Sequence, residues 1–244
     1  MLIEYDGTKY EGWQSQKSGK TIEDVITGKL EMLTGEKIKL KGQGRTDAGV
    51  HALGQTANFV MESEWKLDQF HHNLNKVLPD DIYVKKIEET ASDFSARFDA
   101  KSRTYEYRIL SGDQRDPFLI QYSWYVSYRL DIKRMNDAAR YLVGTHDFSS
   151  FRATLCSAKN PIRKLEKIEI TKNGDMISIL FKANAFLHHM VRNIVGLLVE
   201  IGYGRFEPVY AKEVLDYKDI TKKSFKIWRK APARGLFLIR VAYD

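Results

Sequence analysis

Cysteine is nearly absent: Cys156 is the one thiol in 244 residues. That excludes an internal disulfide and any multi-cysteine zinc site, and it suits a reducing compartment, the cytoplasm. Proline is sparse at five, and no linker-like stretch, low-complexity run or short-period repeat interrupts the chain, so it reads as globular throughout. Long apolar runs are missing too. The stretch Ile194 to Val199 stops at Glu200, far short of the roughly 20 residues a bilayer-spanning helix needs. The opening MLIEYDGTKY lacks the charged, then apolar, then small-residue succession of an export signal. A GxxxxGK[ST] phosphate loop, a dinucleotide fingerprint and a metal-ligand cluster are also absent, so chemistry without cofactor or metal is expected. What remains is a cytoplasmic, non-membrane chain long enough for one large core or two ordinary domains.

Lysine and arginine number 39 against 32 acidic residues, a net +7, which favours polyanionic partners. Clusters such as Lys37-Ile38-Lys39-Leu40-Lys41 and Lys222-Lys223, taken singly, read better as solvated faces. Aromatic residues make up 12%, and aromatics interleaved with basic side chains stack on bases as well as fill cores.

The periodicity predicts a strand at Leu2 to Tyr5 and a helix at Thr21 to Thr34, with Thr21 as N-cap and Ile22, Val25, Ile26 and Leu33 as its core stripe. Strands at Ile38 to Leu40 and Thr56 to Met61, a helix at Leu67 to Val77 and a strand at Ile82 to Ile87 complete a βαββαβ order. Beyond it come a strand at Arg103 to Leu110, a helix at about Ile132 to Val143, and a hairpin of Lys164 to Thr171 and Met176 to Lys182 about Asn173-Gly174. A helix at Phe186 to Ile201 and a strand at Leu236 to Ala242 follow. Antiparallel strands mixed with helices make the fold class α+β.

Three constellations carry potential chemistry. The stretch Gly42 to Gln55, GQGRTDAGVHALGQ, sets Arg45 and Asp47 in a glycine-punctuated turn where the backbone can take positive φ or approach a ligand closely. A tight turn whose Asp and Thr bond their own backbone is the structural alternative. Arg192 lies in the apolar helical run FLHHMVRNIVG. A guanidinium buried there needs an anionic partner, which Glu200 is too distant along the helix to provide, unless Arg192 lies on the wet face. On the strand from Arg103, period-two geometry puts Arg103, Tyr105, Tyr107 and Ile109 on one face, as sheet core or as a stacking platform. The pair His188-His189, read as helix neighbours about 100° apart, does not easily share one ion.

The arginine-threonine-aspartate-alanine-glycine loop resembles the signature of the TruA-type tRNA pseudouridine synthases. Smaller matches run through nearly the whole chain, among them Tyr5-Asp6-Gly7, Gly12-Trp13-Gln14-Ser15-Gln16 and His146-Asp147-Phe148. The resemblance implies two ferredoxin-like halves flanking a central basic cleft, residues 1–97 carrying the aspartate loop and 98–244 the tyrosine strand and arginine helix. Asp47 is then the catalytic carboxylate, Arg192 its partner and Tyr105 the ring that stacks on the target uracil. Leu236 closes the uracil pocket, although plain core is an equal reading, and Arg45 fills the gap left by a flipped nucleotide or holds its phosphate. The implied substrate is the anticodon stem-loop of tRNA at uridines 38, 39 and 40, handled without a cofactor by a homodimer. A non-catalytic RNA-recognition module would carry a Gly-Phe-Gly-Phe type motif, which the sequence does not contain.

Overall fold

Thr21 caps the first helix as its side chain requires: Oγ1 accepts from the Asp24 amide at 3.2 Å and donates to the Asp24 carboxylate at 2.6 Å. Helix α1 (Ile22–Thr34) follows and ends on Gly35 at φ 74°. Ile22, Ile26 and Leu30 are its buried residues, while Val25 and Leu33 are half-buried. The computed structural model describes residues 1–154, 156, 158–218 and 228–243. Lys222 and Lys223 lie outside them. The chain divides into two compact units, Met1–Lys101 with Phe237–Asp244, and Ser102–Leu236.

In the first unit β1 (Leu2–Tyr5), β2 (Lys41–Gly42), β3 (His51–Asn58) and β4 (Ile82–Lys86) alternate with α1 and α2 (Leu67–Val77). The strand order is β4-β1-β3-β10, with β2 added to β3. Strand β10 (Leu236–Ala242) runs parallel to β3, pairing Phe237 with His51 and Leu238 with Ala52. The other pairings are antiparallel. Two expectations need correction. The strand expected at Ile38 to Leu40 is displaced to the two residues of β2, although Ile38 and Leu40 are buried between exposed Lys37, Lys39 and Lys41. Strand β3 starts at His51, five residues before the expected Thr56, because Gly54 serves the sheet: a Cβ there would meet the Ile239 carbonyl oxygen at 2.3 Å.

The second unit orders its strands β5-β9-β8-β7: β5 (Ser102–Ser111), β9 (Met176–Ala183), β8 (Ile162–Asn173) and β7 (Gly144–Asp147). A short β6 (Trp124–Val126) lies parallel to β5. The hairpin turns at Gly174 with φ 58°, joining Asn173 to Met176 in register. Helices α3 (Ile132–Leu142), α4 (Met190–Gly202) and α5 (Tyr210–Tyr217) complete the unit, with α3 packed on α4, α5 and β8. Mixed helices and mainly antiparallel strands bear out the coarse fold class. Among the described residues no helix is long and apolar enough to cross a membrane.

Helix α4 starts four residues later than its apolar pattern predicts. His189 stands at φ 64° as its N-cap, a left-handed conformation that breaks helical continuity. The His188 and His189 rings, both ahead of the helix, stand 3.9 Å apart, so the helical spacing that was to separate them does not apply.

Candidate active site

The candidates in the first unit lie on and around the loop between β2 and β3. The loop backbone is clamped rather than self-supporting. The Thr46 carbonyl accepts the Trp13 amide at 3.1 Å, and the Gly49 amide reaches the Tyr10 carbonyl at 3.3 Å. Thr46 Oγ1 bonds the Tyr5 hydroxyl at 2.8 Å instead of its own turn, so the self-bonded-turn alternative fails for Thr46. The Asp47 carbonyl does accept the Val50 amide at 3.1 Å, closing a turn in which Gly49 takes φ 74°. Gly12, at φ 93°, lies so near the loop that a Cβ there would stand 2.5 Å from the Thr46 oxygen. Thr46 and Val50 are buried and Asp47 between them is half-exposed. A carboxylate is thus held on a rigid loop with a face left to solvent, the arrangement a nucleophile requires.

Behind the loop, buried His51 places Nδ1 3.1 Å from Asp6 Oδ1 and 3.2 Å from the Gly7 amide. Its ring stacks on Phe237 at 4.6 Å. Arg45 is exposed, with Nε donating to Gln14 Oε1 at 3.1 Å. Gln14 Nε2 in turn donates to Glu23 Oε2 at 2.7 Å. Sequence reasoning saw Gly12, Trp13 and Gln14 only as a family pattern and assigned them no role.

The second unit carries the other candidates. Arg103, Tyr105, Tyr107 and Ile109 share one face of β5, and the last three are buried as the alternation predicts. Tyr105 meets Phe186 edge-on at 5.1 Å, which fixes the plane of its ring. Tyr107 is fully buried, with its hydroxyl donating to the Pro232 carbonyl at 2.7 Å. Burial pushes that phenol far above its usual range, against the opposing pull of Arg192, Arg234 and Arg229. Leu236 is buried at the start of β10. The preceding Gly235 is held against Tyr107, where a Cβ would stand 2.8 Å from the ring.

Arg192 is the exception in its helix. Every other residue of α4 is buried, whereas Arg192 is half-exposed. It sits in the first turn, where the helix dipole disfavours a cation, so its charge does not serve the helix. Glu200 is engaged elsewhere, with Arg205 at 2.8 Å. Arg192 Nε donates to the Ala231 carbonyl at 2.8 Å, and the Ala231 amide returns a bond to the Arg192 carbonyl at 3.1 Å. Residues 228–235 therefore form a strap that sequence reading missed. Trp228 and the Arg229 carbonyl press on Gly196, Lys230 Nζ lies 3.3 Å from His189 Nδ1, and Arg234 Nε bonds the Ser123 carbonyl at 3.1 Å. The strap ties Arg192 to the strand of Tyr105 and Tyr107 through Ala231 and Pro232, and brings Arg229 and Arg234 near Tyr107.

A family model described as tRNA pseudouridine synthase matches residues 1–99 and 138–244. The tRNA pseudouridine synthase A of Acetivibrio thermocellus is 41% identical over 243 residues, spanning 100% of this chain and 98% of that protein. The protein of the same name from Thermoanaerobacter sp. is 42% identical, and that from Geobacter sulfurreducens 38%, with the same coverage.

Proposed function

The chain belongs to the tRNA pseudouridine synthase family, and from that premise we propose that Asp47 is the nucleophile that converts uridines 38, 39 and 40 of the tRNA anticodon stem-loop to pseudouridine. The enzyme is an isomerase that acts on tRNA. The bond from uracil N1 to ribose C1′ breaks, the base turns, and C5 forms the new bond to C1′. The C5 proton leaves and N1 takes one up, so atoms and electrons balance within the substrate.

The observation that carries the assignment is the clamped loop, which leaves Asp47 half-exposed between the buried Thr46 and Val50. The remaining roles follow from chemistry. Tyr105, its ring plane set by Phe186, stacks on the uracil and assists removal of the C5 proton. Tyr107 is excluded from that task because its hydroxyl is committed to Pro232. Arg192 pairs with Asp47 and favours its charged form, Leu236 closes the pocket, and Arg45 supports the nucleotide flipped from its stack. The same reading carries two ferredoxin-like halves about a basic cleft, a cytoplasmic location and a homodimer that grips one tRNA. Phosphate contacts then supply much of the affinity.

The deciding experiment incubates the protein with unmodified tRNA transcript and maps pseudouridine by position. Product at 38 to 40 that disappears in Asp47→Asn supports the reading. Product confined to other tRNA positions or to ribosomal RNA transcript overturns the site choice, and an active Asp47→Asn removes Asp47 from the chemistry. Light scattering that finds only monomer under conditions of full activity defeats the dimer.

A further inference from the structure

Arg45 is a long, exposed side chain on a loop whose backbone is otherwise immobilised, and a solvent-facing arginine ordinarily samples many rotamers. Here one end of it is held. Nε donates to Gln14 Oε1 at 3.1 Å, and among the described residues the two terminal guanidinium nitrogens make no hydrogen bond. Gln14 could present either its oxygen or its nitrogen to Arg45, since an amide is two-faced. Glu23 removes that ambiguity. Its Oε2 accepts Gln14 Nε2 at 2.7 Å and the Ser15 amide at 2.6 Å, and an ionised carboxylate can only accept, so it takes the N–H end of an amide and never its oxygen. The nitrogen of Gln14 is thereby committed to Glu23 and the oxygen to Arg45.

We propose that Gln14 is a positioning residue, oriented by Glu23, which aims the guanidinium of Arg45 at the RNA before substrate arrives. The proposal rests on the reading of Arg45 as the residue that supports the flipped nucleotide. Ordering the side chain in advance removes an entropic penalty from substrate capture, which is how preorganised groups raise kcat/KM. The anchor uses only Nε, so the two-pronged edge that suits phosphate or a base remains for the nucleotide. Glu23 itself is poorly placed for the fold. Burial raises its carboxyl above the ordinary value, opposed by the hydrogen bond from the Ser15 amide and by the charge of Arg45.

A double-mutant cycle on tRNA turnover tests this. Gln14→Met keeps the length of the side chain and removes both amide groups, and it is expected to lower kcat/KM about five- to tenfold, the scale of one ordinary net hydrogen bond. In an Arg45→Ala background the same substitution is expected to change kcat/KM less than about twofold. Melting curves of both variants check that the loop still folds. Losses that multiply in the double variant would overturn the relay while leaving the role of Arg45 intact, because a merely structural Gln14 would lower activity in either background. Wild-type turnover by Arg45→Ala would remove Arg45 from the RNA site, and the relay with it, without touching Asp47.

Discussion

Replacing Gly12 by alanine should damage both stability and catalysis, to an extent set by the geometry around it. Two penalties combine at this position. Alanine at φ 93° costs about 1–2 kcal/mol, because Cβ crowds the following carbonyl. Its Cβ would also stand 2.5 Å from the Thr46 oxygen, 3.1 Å from the Asp47 carbonyl carbon and 3.2 Å from the Ala48 nitrogen. Gly12 itself has little room to retreat: its carbonyl accepts the Ile22 amide at 3.1 Å at the head of α1, and the next amide, of Trp13, donates to Thr46. The loop must therefore withdraw by about 0.5 Å or more, at a further cost of roughly 1–3 kcal/mol for overpacking. A total near 3 kcal/mol lowers the melting temperature by roughly 6–12 °C for a chain of this size. Misplacing a reacting group by about 1 Å lowers the rate by roughly 100-fold, so turnover should fall about ten- to hundredfold. Gly19→Ala is the control, since Gly19 has φ 67° and nothing within 4 Å of a Cβ. It should lose only the conformational part, about 1–2 kcal/mol, with wild-type turnover. Circular-dichroism melts and single-turnover tritium release from C5-labelled uridine in tRNA measure the two effects. If Gly12→Ala melts with Gly19→Ala and turns over at the wild-type rate, the clamp does not position Asp47.

Asp47→Asn should abolish product while leaving the tRNA dissociation constant within about twofold, since affinity comes from phosphate contacts rather than the nucleophile; filter binding beside a turnover assay checks both. Arg192→Met should lose activity severely and Arg192→Lys recover it only in part, because an ammonium lacks the planar fork and cannot reproduce both the bond to Ala231 and a contact with a carboxylate. The two β5 tyrosines should separate by assay: Tyr105→Phe keeps tRNA binding and loses most turnover, whereas Tyr107→Phe keeps turnover and destabilises by about 1–2 kcal/mol through the orphaned Pro232 carbonyl. Glu23→Gln should raise the melting temperature at pH 7 to 8. The folded pKa of Glu23 is raised, so its ionised form is penalised above that value, and below the ordinary 4.5 both states are protonated and the advantage disappears. A gain that persists at about pH 3.5 would contradict that sign.

Local chemistry was legible in the sequence wherever it stayed local. Thr21 announced the cap of α1, Asn173-Gly174 the hairpin, and Leu67 to Val77 the second helix with its observed limits. Errors arose where distant chain segments decide. Gly54 resembles a loop glycine until β10 approaches it, and the left-handed His189 has no residue-type signal, so α4 seemed to begin at Phe186. Short elements set by packing, β6, β7 and α5, also escaped. At the site the motif residues were readable, but what holds them was not. Gln14 and Arg45 are 31 positions apart, and the strap reaches Tyr107 from Pro232, 125 positions away.

Strand β10 has a consequence for biosynthesis. The unit that contains the Asp47 loop is discontinuous in sequence, because its sheet takes in β10 alongside β3 and the Lys101 amide bonds the Ala242 carbonyl at 2.8 Å. As the chain leaves the ribosome, one edge of β3 has to wait while all of Ser102–Leu236 is translated. At about 5–20 residues per second that interval is on the order of ten seconds. Throughout it the nascent unit exposes a hydrogen-bonding strand edge of the kind that invites mispairing. His51 meanwhile lacks Phe237, the ring it stacks on in the finished fold. Until β10 arrives, the Asp47 loop is anchored to an unfinished sheet, so a nascent chain completes the support of that loop only after all of Ser102–Leu236 has been made.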